Sequence, residues 1–237
     1  MIDKQEIKKK SIKFQTAEIN IAREYCQHVF LSYFYASNPE IYFNGGTALR
    51  IVFNSSRFSE DLEFSSALTV KKIEGAILVA LDCSAKEGFD VGVLVSKATS
   101  GEYLSNIYYK FFDYNIEISI QVSLRQNGEL KSDMHVISSE FVNDYTLLSL
   151  SQDYLVEEKI KASISRKKPR DFYDIYFMLR NGLITLNQRK LLKQVLNVFN
   201  TTKINFSSEL KAFLPRSLHN IIGNFDVVFR NELGRFV

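Results

Sequence analysis

The sequence predicts an α+β fold. It places a mixed, partly antiparallel sheet, covered by helices on one face, in an N-terminal domain of residues 1–150. A C-terminal helical bundle occupies residues 151–237. Three observations carry this. Period-two alternation of apolar and polar residues is confined to the first part of the chain. Apolar residues recur at helical spacing after Ser151. Near residue 45, two glycines join an apolar run to a helix-compatible one.

Composition sets the bounds. The chain has 237 residues, 46% hydrophobic and 13% aromatic, enough apolar material for a full core. A net charge of +3 permits a nucleic-acid partner without demanding one. Cys26 and Cys83 lie far apart, and His28, His135 and His219 form no cluster with them, so zinc spacing is absent from the sequence. The N-terminus lacks an apolar signal region, and no window is long enough for a membrane span. A reduced, cytoplasmic protein with no membrane contact is the expectation.

The elements follow in order. Residues 3–35 read as helical, with Lys4, Lys8, Lys9, Lys10 and Lys13 forming a solvated face or a contact to a nucleic-acid backbone. Asn38-Pro39 stops that helix, because proline disfavours helical geometry in the residue before it. Ile41-Tyr42-Phe43 reads as a strand leading through Gly45-Gly46 into a helix from Thr47. A helix is expected over 70–86, then strands over 89–97, 103–112 and 116–124 that extend the sheet in antiparallel fashion. Residues 126–144 read as polar and irregular, with a turn at Asn127-Gly128. Ser151 is placed to cap a helix over 152–166, and Pro169 to start the next, which runs to Asn181-Gly182. Further helices are expected over 187–199, 207–213 and 218–233.

Two stretches carry chemistry. The turn at Gly45-Gly46 is either a plain strand-to-helix connection or an anion cradle, in which backbone N–H groups and the helix dipole attract phosphate. In Asp61-Leu62-Glu63-Phe64, carboxylates alternate with apolar residues, so a strand here points both acids to one face. A hard divalent cation such as Mg²⁺ relieves their repulsion. Along 115–122, Ile116, Ile118, Ile120 and Val122 alternate with polar residues, and Glu117 projects from the polar face. If that strand neighbours the acidic one, about 5 Å away, three carboxylates converge as a two-metal site requires. The other reading of Glu117 is an incidental acid on an exposed strand, and Asp113 is the alternative third acid.

Between Lys159 and Arg170 stand Lys159, Lys161, Arg166, Lys167, Lys168 and Arg170, with no acid among them. This run is either a cation-rich helix end, with Arg170 and Asp174 paired at i,i+4, or a cationic wall for a triphosphate or nucleic-acid backbone.

Taken together these motifs resemble the DNA polymerase β-like nucleotidyltransferase superfamily. The finer resemblance is to the AbiEii/AbiGii toxin family, carried by Gly45 to Leu49, Arg57 to Phe64, Glu158-Lys159, and Arg170-Asp171-Phe172-Tyr173-Asp174. Glu63 stands where that family commonly has Asp. The resemblance implies transfer of a nucleoside monophosphate from an NTP to an acceptor. Gly45, Gly46 and Thr47 would hold the triphosphate. Asp61, Glu63 and Glu117 would bind two Mg²⁺ ions, and Glu117 would help deprotonate the acceptor. Lys159, with Arg166 and Arg170, would neutralise phosphate charge. Asp171 and Asp174 would position these cations or take part directly, and Asp174 is counted with the catalytic residues. The resemblance also implies a toxin of a toxin–antitoxin or phage-defence system, an antitoxin partner, and RNA such as tRNA as acceptor. Two other readings stay open: a non-catalytic nucleotide- or RNA-binding protein on the same scaffold, and a phosphotransferase acting on a protein side chain.

Overall fold

The computed structural model describes residues 1–37, 39–125 and 130–237. Asn38 of the helix stop and the Asn127-Gly128 turn lie outside the described residues. Packing divides the chain into two compact units: residues 1–54 with 58–150, and residues 55–57 with 151–237.

The first unit opens with α1 (Lys4–Lys13) and α2 (Glu18–Ala36), where the sequence reads as a single helix over 3–35. Gln15 adopts a left-handed backbone conformation at φ 52°, and the Thr16 N–H turns back to the Ser11 carbonyl at 3.0 Å. That closes α1 and restarts the chain in a new direction. Several α1 lysines are spent on acids of the same unit. Lys4 pairs with Asp113 at 2.8 Å, and Lys10 and Lys13 both reach Glu140, at 2.9 and 2.5 Å.

Next come β1 (Ile41–Asn44), α3 (Gly45–Ile51), β2 (Leu62–Ser66), α4 (Val70–Lys86), β3 (Asp90–Ala98), β4 (Glu102–Phe111), β5 (Tyr114–Leu124), β6 (Ser132–Ile137) and β7 (Tyr145–Leu150). The sheet order is β3-β4-β5-β2-β1-β7-β6. It is mixed: β2 runs parallel to β5 and β1 parallel to β7, while the other neighbours are antiparallel. The expected antiparallel extension is β3-β4-β5. β6 and β7 go beyond the sequence reading, which treated residues 126–144 as irregular. Exposed Met134 and Val136 on the edge strand β6 explain why no buried alternation marks it.

α2 packs on β5 and β7, and α4 packs on β3 and α2. Beneath the acidic strand, Phe43 and Phe64 stand with ring centroids 5.3 Å apart, and Phe34 of α2 lies 5.4 Å from Phe64. All three are almost fully buried, and each contributes on the order of 2–3 kcal/mol of apolar burial. This aromatic seam holds β1 and β2 at a fixed depth, and the polar residues between them emerge on the opposite face.

The second unit contains α5 (Gln152–Ser165), α6 (Pro169–Arg180), α7 (Leu186–Arg189), α8 (Leu192–Thr201), α9 (Phe206–Phe213), a 3₁₀ turn (Arg216–Leu218), α10 (His219–Ile222) and α11 (Phe225–Leu233). Ser151 takes the N-cap position of α5, but its side chain makes no capping bond. The helices expected over 187–199 and 218–233 are each broken, the second around Gly223 and Asn224. Phe199, Phe206, Phe225 and Phe229 form the centre of this unit. Ring centroids lie 4.8 Å apart for Phe199 and Phe229, and 4.7 Å apart for Phe206 and Phe225.

Candidate active site

In the first unit, the glycine turn and the acidic strand are one structure. β1 and β2 pair antiparallel with Asn44 opposite Glu63, and the chain leaves Asn44 directly into Gly45. Gly45 has φ +81°, a conformation that suits glycine. A Cβ built on it would stand 1.8 Å from Glu63 Oε2, so the Glu63 carboxylate occupies the space that a side chain would need. Glu63 is half-buried and makes no ion pair among the described residues. Leu62 and Phe64 are buried, as the alternation requires. Asp61 precedes β2 and is partly exposed.

Thr47 is tied to the acidic segment. Its side chain is buried, and its hydroxyl donates to the Asp61 backbone carbonyl. It braces the acid-bearing segment. Gly45 and Gly46 are likewise buried, at the start of the seven-residue helix α3.

Glu117 is not brought to the acid pair. β2 and β5 are neighbours, but their register sets Leu62 beside Ile120 and Glu63 beside Gln121. Glu117 faces Tyr108 of β4, four positions back along β5, which is about 13 Å of strand rise. Among the described residues no group of three His, Cys, Asp or Glu side chains could hold a metal ion. Asp113 sits at the other end of β5 and is paired with Lys4.

In the second unit, the cations are held by acids. Asp174 of α6 is 1% exposed. It accepts from Arg57 Nε at 2.8 Å and Nη2 at 3.0 Å, and from Lys159 Nζ at 2.9 Å. Burial pushes the Asp174 carboxyl up, but the charges and hydrogen bonds of Arg57 and Lys159 outweigh it and hold the group at about 2. Two cations share one buried carboxylate. Lys159 is thus a buried, oriented ammonium.

The remaining cations diverge. Arg166 pairs with Asp171 at 2.8 Å, and the Asp171 carboxylate also accepts from the Lys168 backbone N–H, capping α6. Asp171 therefore has a structural place. Arg170 pairs with Glu209 at 3.3 Å and not with Asp174. A shared phosphate wall of Lys159, Arg166 and Arg170 is not formed. Arg57 is the residue that the sequence reading missed as a functional partner. It was visible only as part of the Arg57 to Phe64 run, and its partner lies 117 positions away.

A mixed sheet with a glycine turn feeding an acidic strand is the layout of nucleotidyltransferases. The sequence matches the family described as "Nucleotidyl transferase AbiEii toxin, Type IV TA system" over residues 30–229, and the chain belongs to that family. No curated protein matches it. Among solved structures, MenT4, the nucleotidyltransferase toxin Rv2826c from Mycobacterium tuberculosis H37Rv, is similar with a TM-score of 0.69 and 14% identity, covering 100% of this chain and 90% of that one. JHP933 from Helicobacter pylori gives a TM-score of 0.65 and 17% identity, covering 93% and 91%. At these identities the likeness is one of fold. No helix among the described residues is long and apolar enough to cross a membrane.

Proposed function

We propose that this protein transfers a nucleoside monophosphate from an NTP to an acceptor hydroxyl and releases pyrophosphate. The observation that carries this is the seating of the Glu63 carboxylate against Gly45, which joins the acids to the turn that would receive a triphosphate. Asp61 and Glu63 supply hard oxygen donors without a buried counter-cation on Glu63, and such a pair suits one Mg²⁺ completed by phosphate oxygens and water. Bound there, the ion would offset negative charge on the phosphates during transfer. Asp61 and Glu63 would hold it, and Gly45 and Gly46 keep the turn narrow beside them. In the second unit Asp174 orients Lys159, to which the family resemblance gives the role of offsetting phosphate charge, and Arg57 keeps Asp174 ionised. The acceptor hydroxyl gives its proton to water and its oxygen bonds to the α-phosphorus, while the bond from that phosphorus to the oxygen bridging to the β-phosphate breaks and pyrophosphate leaves.

Family membership supports a toxin role in a toxin–antitoxin system with a cognate antitoxin; action in the cytoplasm on an RNA acceptor such as tRNA belongs to the same proposal. The decisive assay is incubation with total cellular RNA, Mg²⁺ and each α-labelled NTP in turn. Labelled RNA is expected with the native protein and none with a folded Asp61→Ala variant; equal labelling by the two would remove Asp61 from the mechanism. A binding-only protein is the second reading, favoured by the separation of Glu117 from the acid pair. It predicts saturable NTP binding with no pyrophosphate released.

A further inference from the structure

Asp61 lies in a segment, residues 58–61, that is neither helix nor strand, since β2 begins only at Leu62. Such a segment has no ladder to fix its backbone, yet a metal ligand must be held to within a fraction of an ångström. Here side chains replace the ladder. Gln27 of α2, 2% exposed, donates from Nε2 to the Ser59 carbonyl at 3.0 Å and to the Glu60 carbonyl at 3.2 Å. Thr47 takes the next carbonyl, that of Asp61. Three consecutive carbonyls leading to the acid are therefore held from α2 and α3.

The neighbours of Gln27 reinforce the hold. One turn earlier on α2, Arg23 pairs with the Glu60 side chain at 3.3 Å. Arg50 of α3, ion-paired with Glu24 at 2.8 Å, stacks its guanidinium 4.2 Å from the centre of the Phe58 ring. Phe58 is itself buried. The segment is thus anchored at its first residue and clamped at each of the next three.

We infer that Gln27 is a positioning residue that sets Asp61 for metal and nucleotide binding, an inference that rests on the transfer reading above. The chemistry selects glutamine. A primary amide carries two N–H donors, and both are spent on adjacent carbonyls. Ionised glutamate at this position would set a carboxylate against two carbonyl oxygens, and methionine would fill the space with no donor.

The test uses Gln27→Met and Gln27→Glu in the full chain. Gln27→Met should fold, exchange the amides of residues 58–62 faster, and bind Mn²⁺, followed by its electron spin resonance, more weakly. Its half-saturating Mg²⁺ for transfer should rise roughly 10–100-fold, the usual effect of losing a residue that orients a ligand, while KM for the NTP stays nearly constant. Gln27→Glu should regain activity as the pH falls, because a protonated carboxyl donates one hydrogen bond; Gln27→Met should not. Native exchange at 58–62 in folded Gln27→Met, or a loss confined to KM, overturns the inference. If Gln27→Met fails to fold, the acid recovery of Gln27→Glu decides it. If the native protein transfers nothing, the transfer reading fails, and amide exchange with Mn²⁺ binding still decides the role of Gln27.

Discussion

Glu63 of the first unit and Asp174 of the second are both candidate carboxylates, and their surroundings are opposite. Glu63 is half-buried, rests against Gly45, and has no cation paired to it among the described residues. Asp174 is sealed from water between Arg57 and Lys159. A carboxylate left unpaired beside a narrow turn can accept a cation from solution. One already neutralised by two buried cations cannot do so without leaving those cations exposed to a low-dielectric interior. The difference fits the proposed direct binding by Glu63 and an organising role for Asp174 through Lys159. It also explains why Arg57 and Asp61, four positions apart in one motif, serve different ends: the first is packed with residues 151–237 and the second with residues 1–150.

The sharpest way to break this contrast is to remove Asp174. Asp174→Ala removes the buried carboxylate that Arg57 and Lys159 share, and a loss of about 3–5 kcal/mol is expected. Urea denaturation of the variant against the native protein measures it. A loss below about 1 kcal/mol would show that the cluster is solvated and would return Asp174 to direct chemistry.

Acid should then separate the two units. In the first unit, burial, aided by the Arg50 charge, pushes His28 down to about 3; its Nδ1 lies 2.9 Å from the Tyr145 hydroxyl. Unfolded, the imidazole titrates near 6.5, so below that pH the unfolded state binds the extra proton. Its stability contribution is present above pH 6.5 and is lost as pH falls, by roughly 3 kcal/mol at pH 4. Asp174 also has a lowered value, about 2 against 3.8. Its contribution is present above pH 4 and disappears between about 4 and 2, on the order of 2 kcal/mol in all. Melts read separately by amide exchange should therefore show residues 1–150 weakening from pH 6.5 and the Asp174 surroundings only below pH 4. A His28→Gln variant should flatten the first window and leave the second.

The legible part of this molecule was what repeats. Alternation in Ile116–Val122 and in Leu62–Phe64 marks strands because each buries one face, although Asp61 falls just before its strand, and Pro169 marks a helix start because its fixed φ favours that position. The family was legible because its motifs are local in sequence. Register was not. Nothing in the alternation distinguishes Glu117 beside Glu63 from Glu117 four positions away, since either keeps Ile118 and Ile120 in the core. Long-range ion pairing was hidden for the same reason. Sequence spacing does not show that Asp174 holds both Lys159 and Arg57, or that the Thr47 hydroxyl donates to the Asp61 carbonyl.

Gly45→Ala tests the other side of the contrast. The added methyl meets not only Glu63 Oε2 at 1.8 Å but also its Cδ at 2.6 Å and its Cβ at 2.8 Å. Swinging the carboxylate away therefore does not relieve the clash, and the strand must shift. The left-handed backbone adds to the strain, for a total of about 1–3 kcal/mol. Metal-dependent transfer should fall far more than stability does. Unchanged transfer in folded Gly45→Ala would mean that the glycine only connects β1 to α3.

The smallest effect is expected at Arg170. Its guanidinium lies 3.3 Å from Glu209, with both side chains partly exposed, and an ion pair of that kind contributes about 0–1 kcal/mol. Arg170→Ala should change neither the urea midpoint nor the transfer rate appreciably, whereas Lys159→Ala should reduce transfer strongly. The two basic residues belong to the same cationic run in the sequence, so their unequal response would separate a buried, acid-oriented ammonium from a peripheral arginine. A large transfer defect in Arg170→Ala with native stability would instead mean that Arg170 leaves Glu209 for the phosphates when nucleotide binds, and that the cationic wall read from the sequence assembles only in the complex.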